Sequence, residues 1–318
     1  MNYWTPQNKP LKLPMVCAPL FIVSGPDLVI AQCKAGVVGS MPALNARTPD
    51  IFDEWLTRIE RELSEHDAEH PDHPSAPYAV NLIVHKSNQI LEAQLEVCVR
   101  HKVPVIITSL GARPEVNAEI HSYGGVVLHD VVNLIHARKA VERGADGLIA
   151  VAAGAGGHAG ALSPFALIQE IRDWWDGPLL LSGAISTGQA VLSAQLMGAD
   201  LAYCGSCFIP AEEASAVPDY KQMILDATSA DIIYTDKVSG TPANFLRQSL
   251  QRVGIDLGGD RPEADYGDLL GSAKAWRDIW SAGHGVGAIR NAATVAEIVD
   301  KFASEYRAAL SRAGRLAA

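Results

Sequence analysis

The chain has 318 residues, 48% of them hydrophobic, enough to bury one large α/β core or two ordinary ones. Acidic residues outnumber basic ones by 36 to 26, for a net charge of -10. No Lys/Arg run is placed to track a phosphate backbone, so nucleic acid is not expected as a partner.

The start, Met1 to Leu13, is polar and proline-bearing, and no later run of apolar residues is long enough to span a bilayer. A cytoplasmic address without a membrane partner is the expectation. Cys17, Cys33, Cys98, Cys204 and Cys207 are an odd, scattered set, which reads as reduced thiols rather than a disulfide framework.

From the N-terminus onward, short apolar runs alternate with longer amphipathic stretches, the rhythm of parallel strands joined by crossover helices. Eight strands are expected: Pro14–Ala18, Gly36–Ser40, Tyr78–Val84, Val103–Thr108, Val126–Leu128, Gly147–Val151, Pro178–Ser182 and Leu201–Cys204. Helical patterns between them include Pro26–Ala35, Ile51–Leu63, Gln89–His101, Val131–Arg143, Pro164–Asp173 and Thr187–Met197. Arg143-Gly144-Ala145-Asp146 and Met197-Gly198-Ala199-Asp200 both end a helix on a glycine cap and launch a strand after Asp. Eight such units predict a closed (β/α)8 TIM barrel, which leaves no strand edge unpaired; an open doubly wound sheet is the alternative.

Glu65–Pro74 holds three histidines and four carboxylates, yet Pro71 and Pro74 break the register that would align ligands. It reads as a polar surface loop, with no metal expected. After Pro210 the strand-helix rhythm stops. Residues 211–275 are expected to form a smaller, mostly helical inserted subdomain with a strand at Ile232–Thr235 and a glycine-rich stretch at Gly254–Gly259, while 1–210 and 276–318 make the barrel. A last helix, Ala293–Ala313, would end on Gly314 as its cap.

Active-site groups in such a barrel come from loops at the C-terminal ends of the strands. The loop after the sixth strand, Gly154-Ala155-Gly156-Gly157-His158-Ala159-Gly160, carries one imidazole among small residues. Its glycines suit close approach to a flat ligand and its histidine suits a general base, although a histidine satisfied by backbone would look the same. The loops after the seventh and eighth strands, Ser182-Gly183-Ala184 and Cys204-Gly205-Ser206-Cys207, are where barrels commonly hold phosphate on backbone N–H groups. Cys204 and Cys207 also spell C-x-x-C, but no second pair exists and packing is the expected role. Asn81 is an amide inside the apolar third strand, fitting either a ligand contact or a backbone contact. Asp146 and Asp200 sit at the N-terminal ends of strands, where residues serve stability.

Ala155-Gly156-Gly157-His158, Ala79-Val80-Asn81-Leu82, Ser182-Gly183-Ala184-Ile185, Gly205-Ser206-Cys207-Phe208 and Ile279-Trp280-Ser281-Ala282-Gly283-His284-Gly285, in that order, resemble the nitronate monooxygenase (2-nitropropane dioxygenase) family. The resemblance implies an FMN-dependent enzyme that oxidises alkyl nitronates with oxygen to a carbonyl compound and nitrite. It places the FMN phosphate on Gly183, Ala184, Gly205 and Ser206 beside Ser182, the flavin ring among Ala18, Pro19, Leu20, Asn81, His129, Gly156 and Gly157, and catalysis on His158. Phe21 and His284 would face the substrate. The chain departs from the family at Cys17-Ala18-Pro19-Leu20-Phe21, at His129, which stands where some relatives carry Lys and would make the local charge pH-dependent, and at His284, where Gln is common. Rival readings are an NAD(P)H:quinone reductase or an enoyl-thioester reductase on the same FMN barrel. More distant ones are a flavin-free phosphate-ligand barrel and a non-catalytic FMN-binding protein. The partners expected are a small nitronate or quinone and oxygen, with a homodimer left open.

Overall fold

The computed structural model describes residues 5–255, 257–258 and 278–316. Eight parallel strands form the central sheet: β1 (Met15–Cys17), β2 (Gly39–Pro42), β3 (Tyr78–Ile83), β4 (Val105–Ser109), β5 (Val126–Val131), β6 (Gly147–Val151), β8 (Leu179–Ser182) and β9 (Leu201–Cys204). The two-residue β7 (Gly157–His158) belongs to the loop after β6. Strand order follows the chain, and β1 also pairs with β9, Met15 opposite Ala202 and Cys17 opposite Cys204. Closure comes from the bridge Val16–Val38, where Cys17 N–H donates to Val38 O at 2.8 Å and Val38 N–H to Met15 O at 3.2 Å. The expected (β/α)8 barrel is therefore the fold.

Helices α1 (Pro26–Lys34), α2 (Pro49–Glu69), α3 (Leu91–Arg100), α4 (Pro114–Ser122), α5 (Leu134–Glu142), α6 (Pro164–Arg172) and α7 (Gly188–Met197) ring the barrel. Alternate strand residues fill its interior, among them Val16, Val38, Ala79, Val105, Ile107, Leu128, Ile149, Leu180, Leu201 and Tyr203, all buried. Larger apolar clusters fill the layer between strands and helices. Gly144 and Gly198 take left-handed φ of 90° and 115° after α5 and α7, the caps the repeated motif predicts. The two aspartates that follow tie adjacent strands together. Asp146 Oδ2 accepts the Val127 N–H at 2.7 Å, and Asp200 Oδ2 accepts the Leu179 N–H at 2.9 Å and an Arg172 N–H at 2.8 Å.

Several boundaries differ from the sequence reading. Gly36 is not the start of β2: it turns the chain out of α1 with φ 86°, and β2 begins at Gly39. Helix α2 runs on to Glu69, absorbing half of the segment read as a loop, because nothing before Pro71 breaks its hydrogen bonds and the His66 and His70 rings stack at 4.5 Å. The last helix, α10 (Val295–Leu316), passes through Gly314, which is a helical residue in open space and caps nothing.

After Pro210 come α8 (Pro218–Asp226), β10 (Ile232–Thr235), β11 (Ala243–Leu246) and α9 (Arg247–Val253). The strand expected at Ile232–Thr235 is present, and β11 runs antiparallel both to it and to β7. The 275/276 boundary and Gly259 lie outside the described residues. Among the described residues no helix is long and apolar enough to cross a membrane.

The C-terminal helix closes the barrel's outer layer by lying against α7. At Gly188 an added Cβ would stand 1.8 Å from Phe302 O and 2.5 Å from Tyr306 N, and the Gly188 N–H is held by Glu305 Oε2 at 2.8 Å. Gly188→Ala is therefore expected to push α10 off α7 and to cost at least the ~1–3 kcal/mol of an overpacked site, read as a lower urea midpoint with unchanged slope.

Candidate active site

At the C-terminal ends of the strands lies a cavity of about 1130 Å³. That exceeds the ~300–1,000 Å³ typical of a pocket for a single drug-sized ligand, so it has room for a cofactor and a substrate together. It brings together Ala18, Pro19, Leu20, Phe21, Asn81, His129, Gly156, Gly157, His158, Ser182, Gly183, Ala184, Gly205 and Ser206. His284 is left out. Its backbone N–H is donated to Gly154 O at 2.9 Å and its exposed side chain lies against Gly154, so it borders the cavity without lining it.

Two turns make one end of the cavity. Gly183 has φ 141°, and a Cβ there would stand 2.8 Å from Ala153 O, so only glycine fits. The N–H groups of Gly183, Gly205 and Ser206 have no acceptor among the described residues. The Ala184 N–H, by contrast, is donated to Gly154 O at 3.2 Å, which leaves Ala184 a wall residue rather than a donor. Ser206 Oγ accepts the Gly283 N–H at 2.9 Å, so its own proton is available to the cavity. The loop after β1 packs beside these turns, held by Asn45, whose amide donates to Leu20 O at 2.9 Å and Ser24 O at 2.7 Å and accepts the Ile22 N–H at 3.0 Å. The sequence reading passed over Asn45.

The glycine loop is locked from two sides. In β7, Gly157 and His158 pair with Asn244 and Ala243 of β11, and the Asn244 amide donates to Ala155 O at 2.6 Å. Gly156 is required by protein rather than by ligand, since a Cβ there would lie 2.8 Å from Gly283 N. Gly157, at φ 65°, has open space where its Cβ would be. His158 thus projects from a fixed backbone into the cavity, and burial lowers its pKa from 6.5 to about 4, so its ring is neutral at physiological pH.

The cavity floor is the top layer of the barrel interior. There the Asn81 amide donates to Ile107 O at 3.0 Å and to Ser109 Oγ at 2.7 Å, and the Ser109 hydroxyl donates to Asp130 Oδ2 at 2.6 Å. Burial lifts the Asp130 carboxyl from 3.8 to about 6, against the lowering effect of the Ser109 hydrogen bond. Tyr203 shares this floor and its phenol stays protonated, its pKa raised by burial and by Asp130. Neighbouring His129 pairs with the Thr108 hydroxyl at 2.6 Å, and burial lowers its pKa to about 4. His129 is therefore not the pH-dependent charge the sequence suggested; Asp130 is. The reading missed Asp130 because it ended β5 at Leu128, although Val126, Leu128 and Asp130 share the inward-facing period of two.

The family model for nitronate monooxygenase matches residues 7–254. The chain belongs to the nitronate monooxygenase family. It is accordingly an oxidoreductase. A nitronate monooxygenase of Paraburkholderia phytofirmans is 24% identical over 349 residues, covering 94% of this chain and 93% of the relative. A Mycobacterium tuberculosis protein named as a monooxygenase is 31% identical over 166 residues, or 52% of this chain, and the match spans only 44% of that relative. In structure, the nitroalkane oxidase of Streptomyces ansochromogenes superposes with a TM-score of 0.80 at 23% identity, over 94% of this chain and 97% of its own, which shows a shared fold.

The lock on the glycine loop is testable without a ligand. Asn244 is buried, and Asn244→Ala leaves Ala155 O without its donor. A loss of about 1–3 kcal/mol is expected, with faster proteolysis or amide exchange confined to residues 154–160.

Proposed function

We propose that this member of the nitronate monooxygenase family binds FMN in the cavity and oxidises nitronates or their parent nitroalkanes with oxygen, releasing a carbonyl compound and nitrite. The observation that carries this reading is the pairing, across one cavity, of two turns with unclaimed N–H groups and a neutral imidazole on a locked glycine loop.

The residues present fit FMN. The N–H groups of Gly183, Gly205 and Ser206, with the Ser206 hydroxyl, make a neutral donor set of the kind that cradles phosphate, and the adjoining wall of Ala18, Pro19, Leu20 and Gly157 offers an apolar, close-approach surface for a flat ring. When bound, FMN supplies the electron acceptor that oxygen then regenerates. The chain's own contribution is acid–base chemistry and placement. A neutral His158 can accept the α-proton of a nitroalkane, and the imidazolium so formed faces the negative nitro oxygens of the product nitronate. In this reading the segment from Ala211 onward serves as the cap, with Tyr234, Pro242 and Trp280 on its side of the cavity.

Ser206→Asp keeps an acceptor for the Gly283 N–H while placing a carboxylate among the phosphate donors. The purified variant is expected to be folded and colourless, and ultrafiltration against added FMN should show no retained chromophore; a fully yellow variant would refute the phosphate placement.

His158→Ala is expected to retain FMN and lose about 10²–10⁴-fold of kcat with nitroethane, as removal of a general base does. Unchanged turnover would remove His158 from the mechanism. Rapid anaerobic bleaching of the wild-type flavin by NADH or NADPH would replace the nitronate reading with a pyridine-nucleotide-dependent one.

A further inference from the structure

Among the described residues that line the cavity, Asp130 is the one carboxylate. It forms no ion pair among the described residues: Lys139 and His136, on α5, line the same cavity and are exposed, and His85, after β3, lines it half-buried. Several other polar groups lining the cavity are neutral. Asn81 of β3 and Ser109 of β4 form the hydrogen-bonded chain beneath Asp130, Tyr203 of β9 is protonated, and His129 and His158 are uncharged at physiological pH.

The direction of the chain matters. Asn81 donates to Ser109 Oγ, so the Ser109 proton is committed to Asp130 Oδ2. Oδ1 has no partner among the described residues, and Oδ1 is where the acid form would carry its proton, as a donor to whatever rests on the floor. Ionised, the same group presents to the cavity a negative charge that no ion pair among the described residues offsets, on a largely desolvated floor where like charges repel more strongly than in bulk solvent.

We propose that Asp130 is a specificity-determining residue that sorts ligands of this cavity by charge, admitting a neutral nitroalkane with the carboxylate ionised and a nitronate anion only together with a proton on the carboxyl. The proposal rests on the nitronate reading for its substrate names, but the charge selection belongs to the floor of the cavity and is measurable without turnover. Because the carboxyl titrates at about 6, anions are favoured below that pH and excluded above it, while neutral ligands bind equally on both sides.

Propionate and propionamide are unreactive and nearly isosteric with ethylnitronate, one charged and one neutral. Binding of each to the protein as purified, measured by isothermal titration calorimetry from pH 5 to 8, tests the proposal. In the wild type, propionate affinity is expected to fall roughly tenfold per pH unit above about 6, and propionamide affinity to stay constant. In Asp130→Asn, with its fold checked by circular dichroism, propionate is expected to bind with the same affinity at pH 6 and pH 8. A contribution from His136 would survive in that variant, whereas one from Asp130 would vanish. The proposal is overturned if wild type and Asp130→Asn give superimposable propionate curves, or if propionate binds to neither at any pH. Should Asp130→Asn misfold, a carboxyl signal followed by ¹³C NMR in wild-type protein labelled at Asp Cγ decides: a resonance titrating near 6 that shifts on propionate addition supports it, and none overturns it. Absence of retained flavin would sink the nitronate reading and leave this measurement standing.

Discussion

The antiparallel pairing of β7 with β11 is the constraint on which the site depends. A glycine-rich loop would ordinarily sample many conformations. Here, two residues of it are drawn into a three-stranded sheet, and Asn244 closes the remaining carbonyl at Ala155. The histidine that follows Gly157 therefore inherits the rigidity of a strand rather than the mobility of a loop. The segment after Pro210 supplies this partner, so the part of the chain that breaks the barrel's rhythm is also the part that fixes the backbone of His158.

Desolvation gives the cavity its second property. Burial pushes His129 and His158 down to about 4 and Asp130 up to about 6, so each group is driven toward its neutral form by the same cost of burying charge. The imidazoles are far from titrating at neutral pH and the carboxyl is close to it. Of the three, the carboxyl is the group whose charge changes nearest to neutral pH.

The eight strands were legible because each is a short apolar run ended by a turn residue, and the barrel followed from their number. The Gly-Ala-Asp motif was legible for a local reason, since cap, turn and strand staple all lie within four residues. What escaped was relational. Gly156 looked like a ligand-facing glycine, but its demand for space comes from Gly283, distant in sequence. Ala184 looked like a phosphate donor, but its N–H is donated to Gly154 O, and His284 looked like a pocket residue but packs against Gly154 without lining the cavity. Asp130 was hidden by a strand end set at Leu128, three residues before the observed end at Val131.

The barrel's circle is not equally thick all the way round. Strand β1 meets β9 through three residue pairs but meets β2 through the single bridge at Val16 and Val38. Local opening begins where hydrogen bonds are fewest, so this joint is the natural line of breathing in an otherwise continuous ring. Ala18, Pro19 and Leu20, which wall the cavity, follow directly from β1, so any loosening of the seam is felt first by whatever lies against them.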